Sequence, residues 1–462
     1  MIITILCGGV GSRLWPVSRS SYPKQFIKLP DGRSFIQKTF LRGIAIEGVT
    51  EVVVVTNSAL YFMIRAELQE VNDSNIKITY ILEPVGRSTA PAVAAAALYS
   101  HAVYGNRSMI VLSADHLIKR EQEFMDAVDR AELFAKRGNI VVFGITPDRP
   151  DTGYGYIEAV GNEVLRFVEK PSLEDAMRYL AAGNYCWNSG IFYFKTETIL
   201  NEYQKCAPDL LQDVKGCMSK VAGDFIELDV EKFAEVENIS LDYAIMEKSD
   251  NLAIISCDIG WTDIGSWNAY SSMYLENEAG NKIIGDVIAK DSSNCFIRSE
   301  DRLIATIGVK DLLIIDTHDA LLIADKAKEQ EIKTVFNQLK TEGHAAHRDH
   351  QTTFKPWGSY TLLQSSDNFK IKHIRVKPQE ALSLQSHQHR SEHWIVVQGV
   401  ANVFNGDAES LVRPNESIYI KAGDKHRVRN DGDTDLIFIE VQCGEILDEN
   451  DIERYDDKYG RK

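Results

Sequence analysis

Short apolar runs that do not alternate, each followed by a longer stretch of helical period, constrain the N-terminal part of this chain more than any other feature. IITILC (2–7), EVVVVTN (51–57), KITYILE (77–83), SMIVLSADH (108–116) and NIVVFGI (139–145) are rich in β-branched residues and read as strands buried on both faces. Between them SFIQKTFLRGIAI, ALYFMIRAELQEV, PAVAAAALYSHAVYG and EQEFMDAVDRAELFAKRG carry helical patterns, the last two closed by glycine. Strand then helix, repeated, implies an α/β domain with a parallel sheet covered on both sides, and such sheets bind ligands beyond the carboxyl ends of their strands. CGGVGSRLWP and SADH fall at those ends.

The remaining chain must form something else. From about 280 to 325 short β runs and turns replace the βα rhythm, followed by the helical DKAKEQEIKTVFNQLKTEG. HAAHRDHQTTFKP (344–356) reads as a polar linker, and beyond it FKIKHIRVKP, HWIVVQGVANVF, ESIYIKAGD and DLIFIEVQCG read as strands of an all-β domain. With 462 residues, a division into 1–280, 281–350 and 351–462 gives cores large enough to stand without staples, and no internal repeat is evident. The seven scattered cysteines show no C-x-x-C spacing, which favours reduced thiols in a cytoplasm over disulfides or a cysteine zinc site. A net charge of −16 spread along the chain argues against a nucleic-acid surface, and no apolar run is long enough for a membrane span. Any bound anion must therefore be held by local cations and backbone N–H groups.

The glycine loop fits neither standard phosphate motif. After Gly9 and Gly11 the third Rossmann position is Leu14, and no Lys-Ser/Thr pair follows the glycines at P-loop spacing. What remains is a turn through Gly8, Gly9, Gly11 and Ser12 whose N–H groups can wrap a polyphosphate, with Arg13, Arg19 and Lys24 to neutralise it.

GGVGSRLWPVSRSSYPKQF resembles the signature of sugar-phosphate nucleotidylyltransferases, specifically the bacterial mannose-1-phosphate guanylyltransferases. LEPVGRSTAPAV, LSADH, TGYGYIE, FVEKP, WNSGIFYF, SLDYAIMEKS and GWTDIGSW follow in the family's order. The resemblance implies a Rossmann-like nucleotidyltransferase domain that makes GDP-mannose and pyrophosphate from GTP and mannose 1-phosphate, with Arg13, Lys24, Asp115, Lys170 and Asp263 as catalytic residues. It further implies that Asp115 and Asp263 hold Mg²⁺, and that Glu83, Arg87, Thr89 and Pro91 read guanine. Gly153, Tyr154, Gly155, Glu169, Lys170 and Asn188 would bind the sugar. The chemistry is coherent: the attacking phosphate oxygen is already ionised, so the rate depends on positioning and charge neutralisation rather than on a general base. The family wording has Asn at Ser88, which bears on base choice, and a nucleotidyltransferase of different base or sugar, decided by the loops from Glu83 to Pro91 and from Gly153 to Asn188, is an alternative. A sugar-nucleotide binder without catalysis is a further one.

All histidines except His101 and His116 lie beyond residue 300. His344, His347 and His350 sit in the polar stretch, where solvated side chains are the ordinary outcome. LQSHQHRSEHWIVVQG instead fits a cupin first motif with Gln385 in place of the first histidine, then His387, Glu392 and Gly399. Gly423, His426 and Asn430 fit the second motif, with Lys421 in place of its proline. Gln385, His387, Glu392 and His426 make a plausible site for Zn²⁺ or another divalent metal. This set, with KPWGSY, NESIYI and the terminal YGRK, resembles the isomerase half of two-domain enzymes, so the fold expected is a cupin jelly roll. The implied reaction converts mannose 6-phosphate to fructose 6-phosphate, with Arg390 holding phosphate or a developing oxyanion. A cupin that only folds the chain is the alternative, and a homo-oligomer is expected.

Overall fold

The computed structural model describes residues 1–219, 223–448 and 451–456, so the YGRK match at 459–462 lies outside the described residues. The chain forms two compact units, Met1–Asp316 with Leu321–Gln338, and Thr317–Ala320 with Leu339–Lys462.

The first unit is built on a ten-stranded sheet. Its order is Phe225–Glu227, Lys77–Glu83, Glu51–Asn57, Ile2–Cys7, Ser108–Ser113, Tyr185–Lys195, Ile140–Ile145, Leu252–Cys257, Glu163–Val168 and Tyr156–Val160. The first five are parallel, as the unbroken apolar runs require. Ile3, Ile5, Val52 and Val54 pack on one face, and Ile2, Val53 and Val55 on the other, so both faces are covered. Helix Phe35–Ile44 starts at Ser34 with a reciprocal capping box to Gln37, and it packs Ile36 and Phe40 onto the first face. Helix Thr89–Tyr104 is alanine-rich and buried nearly all round, packing against the opposite face.

The sheet is not wholly parallel, contrary to expectation. Tyr185–Lys195 runs antiparallel between Ser108–Ser113 and Ile140–Ile145. Between Ile140–Ile145 and this strand the chain makes the antiparallel hairpin Tyr156–Val160 and Glu163–Val168 before helix Leu173–Ala182, so the strand–helix–strand rhythm that fixes a parallel crossover is broken there. The reversal has a consequence for the site. A strand running the other way starts at the edge where the parallel strands end, and it presents Trp187 and Asn188 beside Ile145 and Gly144.

The β-rich segment does contain a structural repeat, although none was legible in its sequence. Lys282–Ile284, Phe296–Arg298 and Leu312–Asp316 stack in parallel, as do Val287–Lys290 and Ile304–Ile307, around Cys295, Ile297 and Ile314. Successive coils differ in length, so no fixed sequence period marks them.

The second unit contains a six-stranded and a five-stranded antiparallel sheet around Trp357, Val376, Trp394, Val403, Val428 and Phe438. This is the double-sheet architecture expected of a cupin. The linker reading of 344–356 fails at its end, because Thr352–Lys355 is an edge strand paired with Gly358–Ser365. Its polar threonines hid it: Thr352 and Thr361 hydroxyls meet across the pair at 2.8 Å. Among the described residues no helix is long and apolar enough to cross a membrane.

Candidate functional site

The glycine loop leaves the first strand at Cys7 and turns through Gly9 (φ 88°) and Gly11 (φ 70°), conformations that an L side chain rarely adopts. Gly11 is further constrained by contact: a Cβ there would lie 2.5 Å from Cβ of Lys24. The Lys24 backbone N–H reaches the carbonyl of Val10 at 3.3 Å, and Ser18 Oγ donates to the carbonyl of Gly11 at 2.6 Å. Loop and lysine thus form one folded piece. Ser12–Leu14 makes a short 3₁₀ turn, which leaves Arg13 exposed.

Lys24 is buried, and its ammonium donates to Asp115 Oδ2 at 2.8 Å and to the backbone carbonyl of Asp263. Burial alone would raise the Asp115 pKa, but the Lys24 charge and hydrogen bond, with His116 and a backbone N–H, together hold the carboxyl below its usual range. Asp263 Oδ1 accepts from Tyr154 Oη at 2.7 Å and from the Gly265 backbone N–H at 3.1 Å. Both carboxylates line one pocket with Gly11, Ser12, Arg13 and Lys24. Two hard oxygen donors beside an open pocket fit a hard divalent cation that keeps positions for phosphate and water. An adjoining cleft of about 990 Å³ is walled by Arg13, Arg149, Tyr154, Lys170 and Asp263 among others. Cationic side chains thus gather at this edge in a chain whose net charge is −16.

The residues matched to sugar binding converge on the same edge. Gly155 is a close-approach position, where a Cβ would meet Glu169 Oε2 at 2.5 Å. Asn188 donates its backbone N–H to the Gly155 carbonyl at 2.8 Å, and its side-chain amide donates to Asp242 Oδ1 at 2.8 Å. Lys170, with φ 45°, pairs with Glu169 at 2.9 Å. Gly153 N–H is held by Asp151 Oδ1 at 2.9 Å. Burial and the Glu169 charge push Asp242 up to about 6.

The residues matched to guanine reading lie along the same sheet edge but line neither pocket. Glu83 ends the strand two places from the glycine loop's strand, in register with Asn57. It is buried, Oε1 has no hydrogen-bond partner, and desolvation pushes its carboxyl up to about 7. Arg87 Nε is likewise buried without a partner, Thr89 Oγ1 accepts from the Leu241 N–H at 2.8 Å, and Pro91 lies in the first turn of the alanine-rich helix. Arg19 does not join the phosphate loop. It is wholly buried, with Nε donating to the Pro16 carbonyl at 2.7 Å and its guanidinium against the Trp15 ring.

Sequence reasoning missed the pair His116 and Trp261. Trp261 Nε1 donates to His116 Nδ1 at 3.2 Å, so the neutral ring carries its proton on Nε2, which faces Asp115 Oδ1 at 3.9 Å. Burial keeps His116 below its ordinary pKa. SADH and GWTD each carried part of this signal, but nothing in the sequence joins positions so far apart.

The second unit buries His387, Glu392 and His426, whose candidate ligand atoms lie within 4.8 Å of one another. His426 Nδ1 meets the Asp424 carbonyl at 2.9 Å, which assigns its proton there and leaves Nε2 buried without a hydrogen bond, 3.6 Å from Glu392 Oε2. A histidine oriented through one nitrogen with the other bare is what a metal ligand requires. His387 Nε2 lies 3.1 Å from Glu392 Oε1. Burial would raise the Glu392 pKa, but the two histidines and Arg390 hold it well below the usual carboxylate range. Trp394 and Gln442 also donate to it, at 3.1 and 3.0 Å. Gln385 is paired in register with His426, but its Oε1 accepts from Ser383 Oγ at 3.1 Å. Asn430 donates to the carbonyls of Val376 and Thr434 and pins the turn that follows its strand. His344 and His347 hold a short turn together.

A glycine loop and acidic pair at the edge of a parallel-cored sheet, followed by a cupin with a buried histidine–carboxylate cluster, define a nucleotidyltransferase joined to an isomerase-type domain. Family comparison agrees by segment: the nucleotidyl transferase family matches residues 3–279, the MannoseP isomerase/GMP-like beta-helix domain 285–339, and the mannose-6-phosphate isomerase C-terminal family 342–457. The chain is 42% identical over 472 residues to the mannose-1-phosphate guanylyltransferase of Escherichia coli K12, covering 99% of this chain and 98% of that one. It is also 42% identical over 463 residues to the xanthan biosynthesis protein XanB of Xanthomonas campestris, with 99% and 98% covered. Among solved structures, a mannose-6-phosphate isomerase of Helicobacter pylori matches with TM-score 0.51 and 31% identity, covering 57% of this chain and all of that one. A Thermus thermophilus structure described as a mannose-1-phosphate geranyltransferase matches at TM-score 0.65 and 27% identity, covering 73% and 99%. The chain belongs to the two-domain mannose-1-phosphate guanylyltransferase and mannose-6-phosphate isomerase family.

Proposed function

We propose that the first unit transfers GMP from GTP to mannose 1-phosphate. The observation that carries this reading is the meeting of the glycine loop, Arg13, Lys24, Asp115 and Asp263 around one open pocket. A phosphate oxygen of mannose 1-phosphate attacks the α-phosphorus of GTP, the bond from that phosphorus to the bridging oxygen breaks, and pyrophosphate leaves with the electron pair. Backbone N–H groups of residues 8–12 and the Arg13 guanidinium bind the triphosphate, and Lys24 neutralises the charge beside the reacting phosphorus. Asp115 and Asp263 would hold Mg²⁺, which supplies charge neutralisation between the two substrates' phosphates. Glu169, Tyr154 and Asn188 face the sugar, with Lys170 toward its phosphate. Glu83, an acceptor-only carboxylate when ionised, suits the N–H donors on guanine's edge. A relative covered over nearly its full length and named mannose-1-phosphate guanylyltransferase supports this assignment.

In the second unit His387, Glu392 and His426 would hold a divalent metal such as Zn²⁺, with Gln385 adjacent, and that ion supplies polarisation of the substrate's C1 and C2 oxygens. Arg390 orients Glu392 and His387 from 3.3 Å each. The substrate pair is mannose 6-phosphate and fructose 6-phosphate. The seven free cysteines support a reducing cytoplasm as the place of work.

Chromatography of GTP, mannose 1-phosphate and Mg²⁺ incubated with the chain should show GDP-mannose, and its absence removes the first assignment. Mannose 6-phosphate with Zn²⁺ or Co²⁺ should yield fructose 6-phosphate, with His387→Ala inactive. Equal turnover by that variant removes the second.

A further inference from the structure

We propose that the cavity beside the histidine–carboxylate cluster is a phosphate-monoester subsite in which Arg454 is the cation that recognises the phosphate. This rests on the isomerase reading of the second unit and adds to it the group that would select a phosphorylated sugar.

The cavity holds about 170 Å³ and is lined by Lys355, Lys372, Arg390 and Arg454, with Glu440 its sole carboxylate among the described residues. A concave site with four cations selects an anion. It adjoins the cluster, because Arg390 and Gln442 both line the cavity and both donate to Glu392.

Arg390 is the obvious phosphate ligand from sequence, but the structure assigns it elsewhere. Each of its three guanidinium nitrogens already has a protein partner: Nε on Glu392 at 3.3 Å, Nη2 against His387 Nε2 at 3.3 Å, and Nη1 on the Asp448 carbonyl at 2.9 Å. Lys372 is directed to Glu440 at 3.8 Å and to the Tyr360 ring. Arg454 differs from both. Its Nε is buried with no hydrogen-bond partner, a state that a folded protein tolerates poorly unless a ligand supplies the acceptor.

Strand register sets the reach. Gln385 pairs with His426 on one side and with Arg454 on the other, so the three stand in one row across the five-stranded sheet. Directly opposed residues of antiparallel strands share a face. Neighbouring strands lie about 4.8 Å apart, which puts Arg454 roughly 10 Å along the sheet from His426. An open-chain hexose 6-phosphate has its reacting carbonyl at one end and its phosphate at the other, and it can bridge such a gap.

The test uses the full chain loaded with Co²⁺ or Zn²⁺ and the variants Arg454→Met and Arg454→Lys. Losing a charge-assisted hydrogen bond to phosphate should raise KM for mannose 6-phosphate by roughly tenfold to a hundredfold. The same change should leave kcat within about threefold and weaken competitive inhibition by inorganic phosphate in parallel. The Lys variant should recover part of the affinity, and unchanged thermal melts exclude a folding defect. If Arg454→Met keeps both KM and phosphate inhibition within about twofold of the parent, the subsite is refuted. If the parent chain does not turn over mannose 6-phosphate, the isomerase reading fails first. Calorimetric titration with inorganic phosphate, the first unit being saturated with GDP-mannose, then decides the subsite alone: loss of binding heat in Arg454→Met supports it, and equal heat overturns it.

Discussion

The two candidate sites solve the problem of holding charge in opposite ways. In the first unit the carboxylates Asp115 and Asp263 stand at an open edge, and a buried lysine lies between them, bonded to one side chain and to the other's backbone. In the second, Glu392 is wholly buried and satisfied by Trp394, Gln442 and Arg390, with the bare nitrogen of His426 nearby. The open site suits substrates that bring several phosphates, since a polyanion needs room and neutralisation. The closed one suits a metal whose ligands must be fixed before the ion arrives. The difference predicts that the two sites fail independently.

The largest effect should come from Asp115→Asn. Removing one carboxylate from the open pair should lower pyrophosphate release by roughly 10²–10³-fold or more, while isomerisation of mannose 6-phosphate stays at the parental rate. A parallel fall in both activities breaks the comparison. The converse variant, His426→Ala, should lower bound metal, read by elemental analysis of the purified chain, by roughly 10–100-fold and abolish isomerisation without slowing pyrophosphate release.

Gly11→Ala should act on the open site through shape rather than charge. The φ of 70° and the Cβ contact with Lys24 put the cost at roughly 1–3 kcal/mol, visible in denaturant unfolding, with a raised KM for GTP. The smallest effect concerns pH. Glu83 has a folded-state pKa of about 7 against an ordinary 4.5, raised by burial. Its contribution to stability is therefore fully present below about pH 4.5 and is lost as pH rises through about 7. Glu83→Gln should flatten the stability profile across that window, in denaturant midpoints taken at pH 4, 6 and 8. An unchanged slope means that another group sets it.

How much of this was legible depended on the distance over which each signal acts. Val52–Val55 and Ile2–Ile5 announced a doubly covered parallel sheet because a strand's own composition records its burial. Tyr185–Lys195 did not announce its direction, since orientation depends on partners far away in sequence. The β-helical coils escaped because their turns vary in length. Gly11 was legible, but the reason it must be glycine is Lys24, which only the fold brings to it. Arg19 was misread as a phosphate ligand because a basic residue near a glycine loop looks available; its burial against Trp15 and Pro16 is a packing fact. His387, Glu392 and His426 were found by motif spacing, whereas Arg454 lies on a short edge strand whose sequence, IERYD, carries no motif.

The central claim, that the open edge carries nucleotidyl transfer, is tested most directly by following pyrophosphate release from GTP and mannose 1-phosphate with Mg²⁺. Pyrophosphate and GDP-mannose should form in equal amounts, only when both substrates are present, and not in the Asp115→Asn chain. No pyrophosphate from the parent chain, or the same amount without mannose 1-phosphate, would contradict it.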